Sequence, residues 1–418
     1  MADGGAGGGG GGGAVGGGFE ELWAELAPVG RYAGTGGYRR YAYTPAELEC
    51  RAWFARAAAA RRMPVETDRN GNLWAWWGSP GPGAVVTGSH LDSVPDGGAY
   101  DGPLGVVSGF AAVDALRADG FTPGRPIAVV AFAEEEGGRF GLACLGSRLL
   151  SGGIDPEAAR RLTDEQGVTL GDAMADAGLD PMAIGRDETA LERIGVYVEL
   201  HIEQGRAQVD MDAPVAIGSA IWPHGRWRLE FCGAANHAGT TRLEDRADPM
   251  LTYANTVLAA RKKARLAGGL ATVGRVLCEP NGTNAIPSKV HAWLDARAAS
   301  QHTLEEIVAE IEQASVERAG RDGTTLTVTR ESYSPEVTFE AGLASRLATL
   351  LGGAGQPAPL LATGAGHDAG VLAAHVPTAM LFVRNPTGVS HSPEESAELT
   401  DCLAGAAALA TVLRELAS

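Results

Sequence analysis

Cysteine is scarce in this sequence and widely scattered. The 418 residues include five, with no CxxC pair among them: Cys50, Cys144, Cys232, Cys278 and Cys402. This spacing excludes a disulfide framework and a zinc site built from thiolates. It is typical of proteins in a reducing compartment, so we expect a cytoplasmic protein.

Basic residues and long apolar runs are also lacking. There are 34 Lys and Arg against 51 Asp and Glu, which gives a formal net charge of −17. Because a nucleic-acid partner requires a basic face to meet its phosphates, this balance argues against one, and it equally disfavours an anionic membrane surface. No apolar run approaches the roughly 18–20 residues that a membrane span needs. We therefore predict neither a nucleic-acid nor a membrane partner.

The pattern along the chain changes three times. Residues 1–18 are almost all glycine and alanine and bury too little apolar surface to offset their ordering entropy, so we predict a disordered tail. Residues 19–214 and 331–418 alternate apolar strand-like runs with helical patterns, which predicts an α/β domain with helices on both faces of its sheet. Between them, residues 215–330 follow the order β-α-β-β-α-β, typical of a split βαβ (ferredoxin-like) domain.

Polar residues follow the predicted strands. His90 and Asp92 come directly after one, and Asp101 lies in a glycine-rich segment soon afterwards. Polar residues at the carboxyl end of a strand occupy the place where α/β sheets form their sites, and the His-x-Asp spacing suits a metal ligand oriented by a carboxylate. A surface histidine and an ordinary Asp-Gly turn are the commoner explanations of these segments taken alone.

Three consecutive acids, Glu134, Glu135 and Glu136, end another apolar strand. Successive side chains of a strand point to opposite faces, so the three acids are not expected to share one role. Their mutual repulsion would cost stability, and a bound cation would relieve it. A solvated helix N-terminus also favours acids, so this segment leaves both interpretations open.

Two further histidines complete the pattern. Glu199, His201 and Glu203 alternate along a strand and would share one face, and His391 lies in a loop after the last strand. Imidazole and carboxylate ligands without thiolate suit Zn, Mn, Co or Ni. More than four candidate ligands suggest two ions that share one carboxylate, while an unbound acid beside them would act as general base. These residues together predict hydrolysis of an amide-like bond.

With their flanking residues, these motifs resemble the dinuclear-metal amidohydrolases of the M20 peptidase family, and within it the hydantoinase/carbamoylase branch. The motifs that carry the resemblance are residues 135–140, 199–205, 236–241 and 366–369. The resemblance extends from about residue 20 to the C-terminus. It implies a catalytic domain with a central mixed sheet flanked by helices, interrupted by an inserted α+β domain that serves as lid and dimer surface, and hence a homodimer.

The resemblance also implies roles at the metal centre. Asp101 would bridge two divalent ions, and Glu135 would be the general base. Glu134 then falls outside the family pattern, which leaves a one-residue shift of these roles open. Asp92 would orient His90 from the second layer. The implied metal ligands are His90, Asp101, Glu136, His201 and His391.

Residues of the inserted domain would contact the substrate. His237 resembles the family histidine that stabilises the oxyanion, although without the family we would interpret residues 236–241 as a helix-capping loop. Asn284 and Arg297 resemble residues that hold a substrate carboxylate, for which a planar guanidinium is well suited. His224 stands where relatives often have glutamine, and it either contacts substrate or packs between tryptophans.

The implied reaction is hydrolysis of the ureido C–N bond of a small carboxylate, with release of ammonia and carbon dioxide; Gln204 would bond the ureido group. We expect allantoate, and so a role in purine catabolism, because residues 221–227 and 382–388 resemble that branch. N-carbamoyl-L-amino acids and β-ureidopropionate are alternatives. An M20 dipeptidase or deacylase is more distant, because those relatives usually carry an acid at the position of His201. A non-catalytic binding protein would be expected to have lost a ligand.

Overall fold

The computed structural model describes residues 11–353 and 355–418. Its helices are α1 (Gly11–Leu26), α2 (Pro45–Ala60), α3 (Pro103–Ala118), α4 (Leu145–Ser151), α5 (Pro156–Arg160), α6 (Leu170–Asp176), α7 (Glu188–Arg193), α8 (Ala207–Asp210), α9 (Pro249–Ala267), α10 (Gln301–Asp322), α11 (Ala341–Leu350), α12 (Asp368–Leu372) and α13 (Leu399–Ala417). Within the described residues, none of them combines the length and the apolar character needed to cross a membrane.

The strands belong to a large sheet, a small four-stranded sheet and a two-stranded ladder. They are β1 (Val65–Thr67), β2 (Leu73–Trp77), β3 (Ala84–His90), β4 (Ile127–Phe132), β5 (Ile194–Ile202), β6 (Val215–Ile221), β7 (His224–Cys232), β8 (Asn236–His237), β9 (Leu270–Glu279), β10 (Ala285–Ile286), β11 (Lys289–Arg297), β12 (Thr325–Ser334), β13 (Val337–Thr338), β14 (Leu360–Thr363) and β15 (Thr378–Val383).

The larger unit is built on a nine-stranded mixed sheet. Its main order is β1-β2-β4-β3-β5-β15-β6-β13, with β14 beside β6. The central neighbours β4, β3, β5 and β15 are parallel, whereas β2 and β6 run antiparallel to them. Every residue of β3, β4 and β15 is buried, as expected for strands covered on both faces. The predicted α/β sheet flanked by helices is confirmed.

Helix α1 corrects part of the predicted disordered tail. It begins at Gly11, within the segment 1–18, and packs against α3 and α13. Apolar burial along one stripe outweighs the poor helix propensity of glycine here. Residues 1–10 lie outside the described residues. The buried stripe consists of Val15, Phe19, Leu22 and Leu26.

A second unit comprises residues Ala220–Val337. Its four-stranded antiparallel sheet has the order β12-β7-β11-β9, with α9 and α10 packed against it, which is the split βαβ arrangement expected from the sequence. The unit begins and ends later than residues 215 and 330. The reason is that β6 pairs with β15 in the large sheet, and β12 continues to Ser334.

The sequence patterns missed the four short helices α4 to α7, which lie between β4 and β5. Each is five to seven residues long, too short for a helical period to be recognised. They enclose a small apolar core of their own, which includes the buried residues Phe140, Leu145, Leu149, Leu170 and Met174.

Candidate active site

The carboxyl ends of four parallel strands bring the candidate residues to one edge of the large sheet. His90 is the last residue of β3, residues 134–136 follow β4, His201 lies one residue before the end of β5, and the loop after β15 carries His391. Neighbouring parallel strands end at the same edge, and open α/β sheets form their sites there. The topology therefore explains why segments about 300 residues apart converge.

Asp101 lies between three histidines. Its Oδ1 is 3.4 Å from Nε2 of His90 and 3.1 Å from Nε2 of His201, and its Oδ2 is 3.4 Å from Nε2 of His391. Burial by itself would raise the pKa of Asp101, but the nearby histidines, His201 foremost, hold it well below its usual range. A buried ionised carboxylate that faces ligands with both oxygens has the geometry of a bridging ligand.

Two groups of candidate metal ligands share Asp101. One consists of His90, Asp101 and His201 and the other of Asp101, Glu136 and His391, and the ligand atoms within each group lie within 4.8 Å of one another. Oε2 of Glu136 is 3.4 Å from Nε2 of His391. The structure thus brings together all five predicted metal ligands.

The buried histidines are held in the tautomer that a metal requires. Nδ1 of His90 donates to the carbonyl of Asp92 at 3.1 Å, and Nδ1 of His201 donates to the carbonyl of Ile202 at 2.9 Å. Although burial lowers the pKa of both rings, the nearby carboxylates, Glu135 for His90 and Asp101 for His201, raise it above the usual range. Because a carbonyl only accepts, each ring carries its lone pair on Nε2 once it is neutral. Both Nε2 atoms are buried, and although Oδ1 of Asp101 lies 3.4 and 3.1 Å from them, neither contact has hydrogen-bond geometry among the described residues. These orphaned nitrogens and the surrounding carboxylates fit Zn, Mn, Co or Ni.

The crowding of acidic side chains at this place also indicates a cation site. Burial and the neighbouring Asp101 raise the pKa of Glu136 to about 7, against the opposing effect of His391. Burial also raises the pKa of Glu135 well above its usual range, although His90 opposes it. A divalent cation among these carboxylates would stabilise their ionised forms.

Glu134 has a different function from the two acids that follow it. Its backbone φ is 52°, and its Oε1 accepts the backbone amides of Arg139 at 2.9 Å and Phe140 at 2.6 Å. The side chain therefore stabilises the turn after β4. This arrangement favours the roles that the family resemblance implies, with Glu135 as general base and Glu136 as metal ligand, over roles shifted by one residue.

Glu135 is held at one oxygen and presents the other to the ligand cluster. Its Oε1 accepts a hydrogen bond from Sγ of Cys144 at 3.1 Å, and its Oε2 lies 3.6 Å from Nε2 of His90. The residue is 5% exposed. A buried carboxylate with one oxygen directed at the cluster is placed to exchange a proton there.

Asp92 supports the centre in another way than expected. Its backbone carbonyl accepts from His90 at 3.1 Å, while its carboxylate Oδ1 lies 3.6 Å from the same Nδ1. Its two carboxylate oxygens accept the backbone amides of Glu135 and Glu136, each at 3.1 Å. Asp92 therefore fixes the main chain that carries both glutamates while its carbonyl orients the histidine.

Gln204 lies beside the candidate metal ligands, whereas Glu203 does not share the expected face. Nε2 of Gln204 donates to Oδ2 of Asp101 at 2.7 Å and to Oγ of Ser390 at 3.2 Å. The carboxylate of Glu203 instead accepts the backbone amides of Ala207 at 2.5 Å and Gln208 at 3.0 Å. Since β5 ends at Ile202, strand alternation no longer applies at position 203.

Several buried residues beside the cluster were not recognised from the sequence. Cys144 contacts Glu135 but occurs without any motif of its own. Glu395 is 5% exposed and binds the main chain at Asp101, yet nothing in the sequence separates it from the exposed Glu394. His367, by contrast, belongs to the motif at residues 366–369; it is buried, with its ring centroid 4.5 Å from that of His201.

Two substrate-binding candidates lie opposite each other in the second unit. His224 of β7 pairs with Arg297 of β11. Nε and Nη2 of Arg297 donate to the two oxygens of Asp295 at 2.9 and 3.2 Å. Burial lowers the pKa of His224, and the charge of Arg297 adds to this. His224 is thus a neutral ring beside a cation.

The other two candidates lie on the two-stranded ladder. His237 is exposed on β8 and pairs with Ala285 of β10, and the carbonyl of Asn284 accepts the amide of Ala238 at 2.9 Å. Nδ1 of His237 accepts the amide of Gly239 at 3.0 Å. A neutral His237 therefore carries its proton on Nε2, where it is able to donate.

A metal centre of histidines and carboxylates at the edge of an α/β sheet is typical of metal-dependent hydrolases. The family model described as peptidase family M20/M25/M40 matches residues 86–415. The chain belongs to this family, whose enzymes depend on metal ions.

Individual relatives show which type of M20 enzyme this chain resembles. An N-carbamoyl-L-amino acid amidohydrolase of Geobacillus stearothermophilus is 35% identical over 406 residues, covering 95% of this chain and 98% of that protein. The allantoate amidohydrolase of Escherichia coli K12 is 32% identical over 389 residues, covering 91% and 93%. A solved amidase of the hydantoinase/carbamoylase family from Burkholderia multivorans superimposes with a TM-score of 0.85 at 28% identity, covering 96% and 98%. The chain is thus a hydrolase of non-peptide C–N bonds, of the hydantoinase/carbamoylase type.

Proposed function

We propose that the chain hydrolyses the ureido C–N bond of a small carboxylate and that its substrate is allantoate. The observation that carries the proposal is the convergence of two ligand groups on Asp101, with one oxygen of Glu135 directed at the same place. The relatives that act on ureido compounds span nearly the whole chain.

The reaction needs a site for two cations and a base beside them. His90, Asp101 and His201 would hold one ion, and the other would be held by Asp101, Glu136 and His391. When bound, such ions supply Lewis acidity towards a carbonyl and lower the pKa of water. Zinc and manganese both suit the donor set, as do cobalt and nickel.

Glu135 would transfer the proton during the reaction. Its Oε2 takes a proton from the attacking water as the new C–O bond forms at the ureido carbon. The same oxygen then gives this proton to the departing nitrogen, so that the C–N bond breaks and ammonia leaves. The remaining carbamate loses carbon dioxide. Throughout these steps, Oε1 of Glu135 keeps the hydrogen bond that it accepts from Sγ of Cys144.

Residues of the second unit, together with Gln204, would hold the substrate. Arg297 and Asn284 would bind its carboxylate, Gln204 the ureido group, and Nε2 of His237 would donate to the oxyanion. A donor aimed at developing charge stabilises the transition state more than the bound substrate.

The choice of allantoate rests mainly on the segment that contains His224. The other segment that resembles the allantoate branch, residues 382–388, has a structural role, because the buried side chain of Asn385 accepts the amides of Thr387 and Gly388 and donates to Val389. N-carbamoyl-L-amino acids are the second candidate. The 35% identity to the Geobacillus enzyme favours them, against 32% for the allantoate enzyme.

Ammonia release will separate these candidates. The full-length chain is stripped with a chelator, reloaded with Mn or Zn, and given allantoate or a panel of N-carbamoyl-L-amino acids. We expect release from allantoate that requires the added metal. Release from the carbamoyl panel alone would keep the reaction and change the substrate. Release from neither, with metal bound, would contradict the proposal and direct the search to peptides and acylated amino acids.

We also propose a homodimer formed through the second unit. Strand β9 lies at an edge of the four-stranded sheet and, together with α9, exposes several leucines. An open strand edge with apolar neighbours readily pairs with another chain. The exposed leucines are Leu251, Leu258, Leu266, Leu270 and Leu277.

Replacing His237 by alanine is expected to lower kcat about 10²–10³-fold, the effect of losing one oxyanion donor. KM should change little, because the interaction forms in the transition state. Steady-state kinetics on the preferred substrate will measure this. His302→Ala is the matched control, since His302 is an exposed histidine of α10 whose partner is Glu306. An unchanged kcat in His237→Ala would show that His237 does not stabilise the oxyanion.

A further inference from the structure

Glu395 is a buried carboxylate that joins two loops carrying metal ligands. It is 5% exposed and follows His391 by four residues. Its Oε1 accepts the backbone amides of Tyr100 at 2.9 Å and Asp101 at 3.1 Å. These residues lie almost 300 positions earlier in the chain, so the contact exists only in the folded protein.

The other oxygen of Glu395 faces its own loop. Oγ of Ser390 donates to Oε2 of Glu395 and also lies within hydrogen-bond distance of Oδ2 of Asp101, each at 3.3 Å. A Cβ added to Gly98 would lie 2.2 Å from Oε1 of Glu395. Only glycine at this position leaves room for the carboxylate to reach the two amides.

His391 needs such support more than the other histidines do. Its backbone φ is 54°, a left-handed conformation that is unfavourable for a residue with a side chain, and half of its side chain is exposed. His90 and His201, by contrast, lie on buried strands. The position of His391 therefore depends on its loop.

We propose that Glu395 is a positioning residue that holds the Asp101 loop against the His391 loop, and that the ion bound by Asp101, Glu136 and His391 is retained through this contact. The inference rests on the metal centre of the proposed function, but not on the identity of the substrate. Partners that orient metal ligands typically contribute about 10–100-fold to metal affinity.

The test is metal affinity, measured on the full-length chain by titrating the chelator-treated protein with Zn or Mn and counting bound ions. Glu395→Ala should weaken the binding of one of the two ions about 10–100-fold and leave the other unchanged. Glu395→Gln keeps an acceptor oxygen for the two amides and should stay within about threefold of the wild type. Glu394→Ala is the matched control, because this adjacent glutamate is exposed, and it should bind metal like the wild type.

Three results would overturn the proposal: wild-type affinity in Glu395→Ala, an equal loss in Glu395→Gln and Glu395→Ala, or an equal loss in Glu394→Ala. Circular dichroism of each variant without metal separates a loss of fold from a loss of the site. Gly98→Ala provides a second route, since the added methyl group displaces the Glu395 carboxylate, and it should reproduce the weaker binding. Because metal binding is the measurement, failure here differs from failure to find an active substrate.

Discussion

Glu135→Gln is expected to lower kcat about 10³-fold while both ions stay bound. The amide is nearly isosteric with the carboxylate but cannot take a proton from water, and general-base catalysis contributes about 10²–10⁴-fold. Oε1 of Glu135 is already bonded to Cys144, so the buried side chain should keep its place. KM should remain close to the wild-type value, because the lost interaction belongs to the chemical step.

Glu134→Gln is the matched control for this experiment. Among the described residues, its Oε1 accepts the amides of Arg139 and Phe140 in the turn, and glutamine retains that acceptor. Turnover by this variant should stay within a few-fold of the wild type. If Glu134→Gln lost activity and Glu135→Gln kept it, the roles of these acids would be shifted by one residue.

Asp101→Asn is expected to remove at least one ion and to lower kcat by about 10³-fold or more, since metal catalysis supplies several kcal/mol of transition-state stabilisation. Asp101 is the only described residue common to both ligand groups. A neutral amide shared by two cations neither balances their charge nor offers two anionic oxygens. Elemental analysis of the purified variant and its kcat will measure both effects.

The control for Asp101→Asn is Asp96→Asn on the same glycine-rich segment. Asp96 pairs with Arg39 at 2.8 Å and accepts from Thr35 at 2.7 Å, so its loss should not change metal content. Two tightly bound ions in Asp101→Asn would contradict the bridging role. A parallel loss of metal in Asp96→Asn would indicate that the segment, not the carboxylate, is responsible.

Much of the fold was predictable because its signals are local. The apolar run of β4 and the apolar first halves of β3 and β5 indicated strands of an α/β sheet. Helices were missed where they were short or where their sequence was rich in glycine. The glycine-rich sequence of α1 gave no helical signal, although burial of Val15 and Phe19 stabilises the helix in the folded protein. The helices α4 to α7 are too short to show a helical period.

The candidate site was predictable to the level of its ligands. His90 and His201 lie at the ends of strands, and His391 lies in the loop after the last strand, each with characteristic neighbours. Imidazole with carboxylate suggests a metal from chemistry alone. The supporting contacts were not predictable. Glu394 and Glu395 are identical in type and adjacent in sequence, yet only Glu395 reaches the amide of Asp101.

The sequence by itself determined the class of chemistry, because donor atoms and strand-end positions are properties of local segments. The tertiary structure decided between the two registers that the sequence left open for the acids at 134–136, because the left-handed backbone at Glu134 directs that side chain to the turn and leaves Glu135 and Glu136 facing the candidate ligands. It also decided that Asp101 stands between three histidines, and that Glu395 joins two loops. Such contacts depend on the relative positions of distant strands, and packing of the whole sheet fixes those positions.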